Sequence, residues 1–292
     1  MKVVIFGANS MLGWGLFELL RGEEVRGTCS PTTRRPKGSG LEVLDLLDRS
    51  SLQVWLDEAQ PDLVFNCAAI CKVEKCEQNP DYAWEVNVGG AQNVLDSLAD
   101  QTRLVYLSSD HVFSGDSGPY DESSKPDPIS FYGKTRVEAE ARALQQRPSS
   151  LVIRVPLCIG PSYNGRSGHL DWLRYRHKSG LAMTIVRDEH RSALALEAAA
   201  QRVYDLARSE FQGVRHVYSE RLVSRPDLAR HLAQVQKLEV RLKFQDRVER
   251  RVPHLGKVDL TSLYTDPLAA PLPSSLSIGS EGVEGRDRTL KI

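Results

Sequence analysis

"KVVIFGANSMLGWG", residues 2–15, decides the fold. An apolar run ends in a glycine, then a short turn, then an amphipathic segment. A strand apolar on both sides is buried on both faces, the habit of parallel sheets. A glycine-rich turn between strand and helix lets backbone N–H groups and the helix dipole meet a pyrophosphate. Gly7 and Gly13 hold the outer positions of a G-x-x-G-x-x-G spacing, with Asn9, Met11 and Leu12 between them. Ser10 replaces the middle glycine. Its side chain crowds the approach of a phosphate, although its hydroxyl can donate to one. The alternative is a tight turn with no ligand; the strand before it and the helix after it weigh against that.

The same rhythm continues. Strands are expected at 24–28, 41–44, 62–66, 103–108 and 150–155, and helices at 11–21, 50–59, 81–100 and 132–146. Strand–helix alternation of this kind predicts an α/β, Rossmann-type doubly wound parallel sheet with right-handed crossovers. Residues 1–155 form the dinucleotide-binding domain. Residues 156–265 read as a smaller substrate lobe interleaved with the sheet, with helices at 169–180, 196–210 and 224–236. Ser224 is the candidate N-cap of the last. Residues 266–292 are a Pro/Gly/Ser-rich tail, expected to be loop-like and to lose order beyond Gly279.

Lys+Arg and Asp+Glu are both 38 in 292 residues, so no global field favours nucleic acid or an anionic membrane. No apolar run reaches the roughly 20 residues that span a bilayer, and the N-terminus enters a strand without a secretory signal. These features predict a cytoplasmic protein. Cys67, Cys71 and Cys76 have a spacing that matches no common zinc or iron–sulfur pattern, so no metal is expected.

Past the second strand, "CSPTTRRPKG" (29–38) carries Ser30, Arg34, Arg35 and Lys37 and no carboxylate. An acid there selects the unphosphorylated ribose, whereas a guanidinium suits a 2′-phosphate. This favours NADP(H) over NAD(H); a solvated basic loop is the alternative. Asp45 and Leu46 end the third strand, where an adenine is read. Cys67, Ala68 and Ala69 in "FNCAA" are small enough for a cofactor to lie close.

Ser109, Asp110 and His111 follow the fifth strand, at the carboxyl end where open α/β sheets bind ligands. In "SFYGKTRVEAE" (130–140), Arg136 lies one helical turn after Tyr132, on the same face. A tyrosine can protonate a carbonyl oxygen while a serine hydroxyl polarises it, provided that a nearby cation lowers the tyrosine pKa. Lys134, two residues on, points about 200° away. An arginine keeps the charge but carries no proton relay.

With these residues in view, the chain resembles the extended short-chain dehydrogenases/reductases, and among them the dTDP-4-dehydrorhamnose reductase family. That family includes sugar-nucleotide reductases and the beta subunit of methionine adenosyltransferase. The resemblance covers residues 1 to about 265. It rests on "GANSMLG", "FNCAA", "NPDYAWEVNVGGAQNV", "SSDHVFSGDSGPYDE", "PDPISFYGKTRVEAE" and "VIRVPLCIGP", and less specifically on "RDEHRSALAL" and "VPHLGKVDLTSL". It implies a Ser109–Tyr132–Arg136 triad, a brace at Asn87, and substrate contacts at Asp110 and His111. His111 stands where the family's substrate-contacting tyrosine is usual, Ile159 replaces another tyrosine, and Arg136 replaces the lysine. The implied activity is NADP(H)-dependent reduction of a 4-keto-6-deoxy nucleotide sugar, with a homodimer among the assemblies it allows. The alternative is a non-catalytic cofactor- or nucleotide-binding regulatory protein.

Overall fold

The computed structural model describes residues 1–36 and 38–279. Lys37 and the tail beyond Gly279 lie outside the described residues. The chain runs β1 (Val3–Phe6), α1 (Met11–Leu19), β2 (Val25–Cys29), β3 (Leu41–Val43), α2 (Arg49–Ala59), β4 (Leu63–Asn66), α3 (Val73–Gln78), α4 (Pro80–Trp84), α5 (Gly90–Ser97), β5 (Arg103–Ser109), α6 (Phe131–Gln146) and β6 (Leu151–Val155). It continues through β7 (Cys158–Ile159), α7 (His169–Lys178), β8 (Met183–Val186), β9 (His190–Arg191), β10 (Leu194–Ala195), α8 (Leu196–Ala207), β11 (Gly213–His216), β12 (Val223–Ser224), α9 (Arg225–Val235), β13 (Leu242–Gln245) and β14 (Lys257–Val258).

Seven parallel strands form the main sheet in the order β11-β6-β5-β4-β1-β2-β3. All four side chains of β1 are buried, as a strand covered on both faces requires. One face packs Trp14, Leu16 and Phe17 of α1 with Leu196, Ala199, Ala200 and Val203 of α8. The other packs Leu52 and Leu56 of α2, Val94 and Leu95 of α5, and Ala139 and Ala143 of α6. The strand order reverses between β1 and β4, which places the ligand crevice of an open sheet at their carboxyl ends.

Two features depart from the sequence reading. The expected helix over 81–100 is α4, then a π-helical turn over Glu85–Gly89, then α5. A π turn inserts one extra residue and re-aims its side chains; here it buries Asn87 completely. The second is β11, a strand that the sequence pattern does not predict. With α8 it returns to the main sheet, where it pairs with β6 from Gly213 opposite Leu151 to His216 opposite Arg154. The remaining short strands form three small sheets, β12-β9-β14, β8–β13 and β7–β10, and α7 and α9 accompany them. Ser224 caps α9 by accepting from the Asp227 N–H at 3.1 Å. Gly180, at φ +64°, follows the end of α7.

Candidate active site

At the crevice, Gly7 has φ +71°, a conformation open to glycine, and a Cβ there would lie 2.5 Å from Ala68 Cα. β1 and β4 therefore approach closely at their ends because residue 7 has no side chain. A Cβ on Gly13 would lie 2.5 Å from the Gly7 carbonyl oxygen. Ser10 is the N-cap of α1, and its Oγ accepts from the Gly13 N–H at 3.1 Å. The hydroxyl thus takes one of the helix's unpaired donors and keeps its own proton to give. The N–H groups of Met11 and Leu12 are the first-turn donors left for a ligand.

Around this turn, Asn9 Nδ2 donates to Thr33 Oγ1 at 3.4 Å, tying it to the loop after β2. Ser30 is exposed and bonds Thr32, and Arg34 and Arg35 are both exposed. Arg35 also spends one donor on the Leu41 carbonyl at 2.5 Å. Asp45 accepts from the Leu47 N–H, and the Leu46 carbonyl accepts from Asn93. Cys67 is buried, while Ala68 and Ala69 are half-buried beside Gly7. The close glycine approach, the small residues and the capped helix terminus fit a dinucleotide.

At the neighbouring strand end, Ser130 caps α6 through the Gly133 N–H at 3.1 Å. Tyr132 then falls in the first turn, and Arg136 one turn later on the same face. Lys134 is exposed and points elsewhere, as its position in the helix requires. A Cβ on Gly133 would sit 2.2 Å from the His111 carbonyl oxygen, so this glycine is what brings α6 against the end of β5. The His111 ring meets the Tyr132 ring edge-on, with centroids 5.3 Å apart. Asn87 ties the layers together: its side chain exchanges two hydrogen bonds with the Ile70 backbone and donates to Thr135 Oγ1 at 3.0 Å.

Arg136 is only 1 % exposed. Its Cζ lies 5.4 Å from the Tyr106 ring centroid and 5.5 Å from that of Tyr132, within cation–π range. One Nη donates to the Asn87 carbonyl at 3.5 Å, and Nε has no partner among the described residues.

From the sequence, the cation at position 136 predicts a depressed Tyr132 pKa. The outcome is the reverse. Burial dominates and pushes Tyr132 up to about 12, although Arg136 and the Ser109 hydroxyl pull it down. Desolvation penalises the phenolate more than one buried guanidinium can repay. Tyr132 is therefore held as a neutral phenol. Burial, reinforced by Arg191, likewise pushes His111 down to about 4, so its ring is neutral.

Asp110, at 0 % exposure, is engaged on both carboxylate oxygens by Arg191, including Nε to Oδ2 at 2.6 Å. Arg191 also donates to Glu189 at 3.1 Å, and Glu189 pairs with His254 Nδ1 at 2.8 Å and with Arg225 at 3.9 Å. Arg225 in turn donates to His169 Nε2 at 2.8 Å. Burial pushes the Glu189 carboxyl up, yet His254, Arg225 and Arg191 together hold it well below the usual carboxylate range. Sequence reasoning named Asp110 but missed Arg191, Glu189, Arg225, His169 and His254. The one signal was the charged run "RDEHR" between apolar segments, together with an aspartate at a buried strand end, which requires a partner. Among the described residues no group of three or more His, Cys, Asp or Glu is arranged to hold a metal, and no helix is long and apolar enough to cross a membrane.

The family model described as RmlD substrate binding domain matches residues 1–273. The chain belongs to this family. A curated relative, methionine adenosyltransferase 2 subunit beta of Xenopus tropicalis, is 33 % identical over 162 residues, covering 54 % of this chain and 47 % of that protein. The chain thus spans about half the length of that relative. The probable low-salt glycan biosynthesis reductase Agl14 of Haloferax volcanii is 29 % identical over 245 residues, 80 % of each chain. Among solved structures, a hypothetical dTDP-4-dehydrorhamnose reductase from Sulfolobus tokodaii superposes with TM-score 0.79 at 25 % identity, covering 97 % of this chain and 99 % of that one. A Bacillus anthracis dTDP-4-dehydrorhamnose reductase, solved with NADP, superposes with TM-score 0.78 at 23 % identity over 95 % and 97 %. These likenesses agree with the doubly wound fold.

Proposed function

We propose that the chain is an NADP(H)-dependent reductase of a 4-keto-6-deoxy nucleotide sugar, working through Ser109, Tyr132 and Arg136. The observation that carries this reading is the convergence of Tyr132, Ser109 and the buried Arg136 at the carboxyl end of β5. A phenol beside a buried guanidinium can give its proton to a carbonyl oxygen, because the cation favours the phenolate that forms. The bound dinucleotide would supply the hydride. The Ser109 hydroxyl, which gives its one proton to Asp110 in this structure, would turn it to the ketone oxygen when substrate enters, and Tyr132 delivers the proton to that oxygen. Arg136 stabilises the phenolate left behind, and its free Nε is the orphaned donor that a ribose hydroxyl satisfies. The turn Gly7–Gly13, with Asn9, Ser10 and the first N–H groups of α1, holds the pyrophosphate, beside Cys67, Ala68 and Ala69. Ser30, Arg34 and Arg35 face the adenosine end, with Asp45 and Leu46 at the base. The NADP of the Bacillus anthracis relative supports the choice of cofactor.

NADPH oxidation across a panel of nucleotide 4-keto sugars tests the reading. Substrate-dependent turnover that Tyr132→Phe removes, with cofactor affinity kept, supports it. NADPH bound tightly and never oxidised would overturn it. One observation favours a second reading, a cofactor-binding regulatory protein without hydride chemistry: the buried arginine at 136 provides charge but no proton relay. The likeness to a methionine adenosyltransferase beta subunit agrees with that reading. Arg136→Lys separates the two, since it keeps or raises turnover in a reductase and creates none in a binder.

A further inference from the structure

Asp110 lies between the two residues that flank Tyr132. The Ser109 hydroxyl donates to Asp110 Oδ1 at 3.2 Å, and Ser109 Oγ accepts the His111 N–H at 3.3 Å. The three residues therefore form one hydrogen-bonded knot at the end of β5. Among the described residues, the ion pair of its buried carboxylate is not with the Rossmann side. The neutralising charge comes from Arg191, 81 residues later, on β9 of the lobe. Arg191 grips both carboxylate oxygens with its planar fork and has one nitrogen left for Glu189. A bidentate guanidinium fixes the carboxylate's plane as well as its charge. With that plane fixed, Oδ1 can take the Ser109 proton from one direction only.

We propose that Arg191 is a positioning residue: by clamping Asp110 it orients the Ser109 hydroxyl and the His111 ring against Tyr132, so that docking of the lobe sets the geometry of the catalytic strand. This rests on the reductase reading for its effect on turnover, but its structural half does not. Behind Arg191, Glu189 is held by His254 and Arg225, so the clamp joins the end of β5 to β9, to the first residue of α9 and to the segment before β14. A buried charge pair fixes one arrangement of its surroundings well, because each partner left alone is strongly unfavourable.

Three variants test it: Arg191→Lys, Arg191→Gln and the neutral pair Asp110→Asn/Arg191→Gln. Lysine restores the charge without the fork. Its melting temperature should approach that of the unaltered protein, while kcat stays about ten- to hundredfold low and the KM for NADPH is unchanged, the cost of a misplaced catalytic group. Recovery of kcat together with stability would mean that the arginine supplies charge alone, and would overturn the proposal. Arg191→Gln leaves Asp110 uncompensated and can fail to fold; the neutral pair avoids that, and should fold with low kcat. A folded neutral pair with full kcat also overturns it. Hydrogen exchange of the uncomplexed protein separates this result from failure of the reductase reading. Residues 109–113 and 131–133 should exchange about tenfold faster in the lysine variant, with residues 3–20 unchanged. Unchanged exchange at 109–113 rejects the clamp even in a protein that turns over no sugar.

Discussion

At the ends of β1 and β4, the crevice is shaped by the absence of side chains. Gly7 and Gly13 let backbone meet backbone, and Ser10 closes the helix terminus with one hydroxyl. At the ends of β5 and β6, a few ångströms of sheet further on, the crevice is shaped by buried polar and charged side chains: Arg136 over two tyrosines, Asp110 in the grip of Arg191, and Glu140 on Arg154 at 2.8 Å. The first half has no room for added atoms at Gly7 and Gly13. The second tolerates no lost charge. A backbone cradle is specified by neighbours in sequence, whereas a buried ion cluster is specified by residues that meet only after folding.

The sharpest test of the charged half is chemical. Tyr132→Phe should lower reductase turnover by about 10²–10⁴-fold, the usual worth of a positioned acid, while NADPH affinity measured by titration stays within a factor of a few. A Tyr132→Phe enzyme that still turned over would move the acid elsewhere.

For the backbone half, Gly7→Ala is the matching insult. The positive φ costs about 1–3 kcal/mol, and the added Cβ would press on the Ala68 backbone at 2.5 Å. Dinucleotide affinity and melting temperature should fall together. If both survive, the approach of β1 to β4 is less constrained than the comparison requires.

Acid should attack the histidines first. Burial pushes His111 and His216 down to about 4 and His169 to about 3, so each is neutral in the folded protein. The unfolded chain takes up protons below its ordinary value of about 6.5. These groups therefore add full stability above that pH and lose it as pH falls toward their folded values, at up to roughly 1.4 kcal/mol per pH unit for each. Melting temperature should drop between pH 7 and pH 5, above the range where carboxylates titrate. A flat profile there would count against buried neutral histidines.

A smaller effect is expected from Arg34→Ala/Arg35→Ala, which should bring NADP and NAD affinities together. Charge-assisted phosphate contacts are worth about 1.5–3 kcal/mol before solvent losses, and both side chains are exposed. The smallest belongs to Ser10→Gly. Glycine replaces a serine N-cap at a cost of only a few tenths of a kcal/mol, so stability should barely move, and calorimetry of NADPH binding would show whether the serine hinders or helps.

What could be read in advance follows the same division. The strand–turn–helix around Gly7, the N-cap at Ser224 and the outward direction of Lys134 were legible, because each depends on residues within one turn of itself. The direction of the Tyr132 shift was not: it depends on how deeply α6 sinks against β5, which Gly133 permits and no local pattern states. Arg191 was hidden by its distance in sequence from Asp110. The break in the helix over 81–100 was invisible because "VNVGG" has an ordinary helical spacing; only the burial of Asn87 gives the π turn its reason. β11 escaped because "GVRH" is short and half polar, a poor advertisement for a strand on the edge of a parallel sheet.

That late strand has a consequence during synthesis. When a growing chain has delivered residue 155, β6 has formed its side of the sheet but β11, its neighbour, is still 58 residues away. Until then β6 is a raw edge whose free N–H and C=O groups invite pairing with other chains. α8 is missing as well, so the side of α1 where Gly15 meets Leu196 and Ala200 is uncovered. The nascent protein carries an adhesive edge and an uncovered apolar face side by side, and both close in one step as residues 196–216 arrive. Slow translation through that interval, at about 5–20 residues per second, sets how long a chaperone would have to guard it.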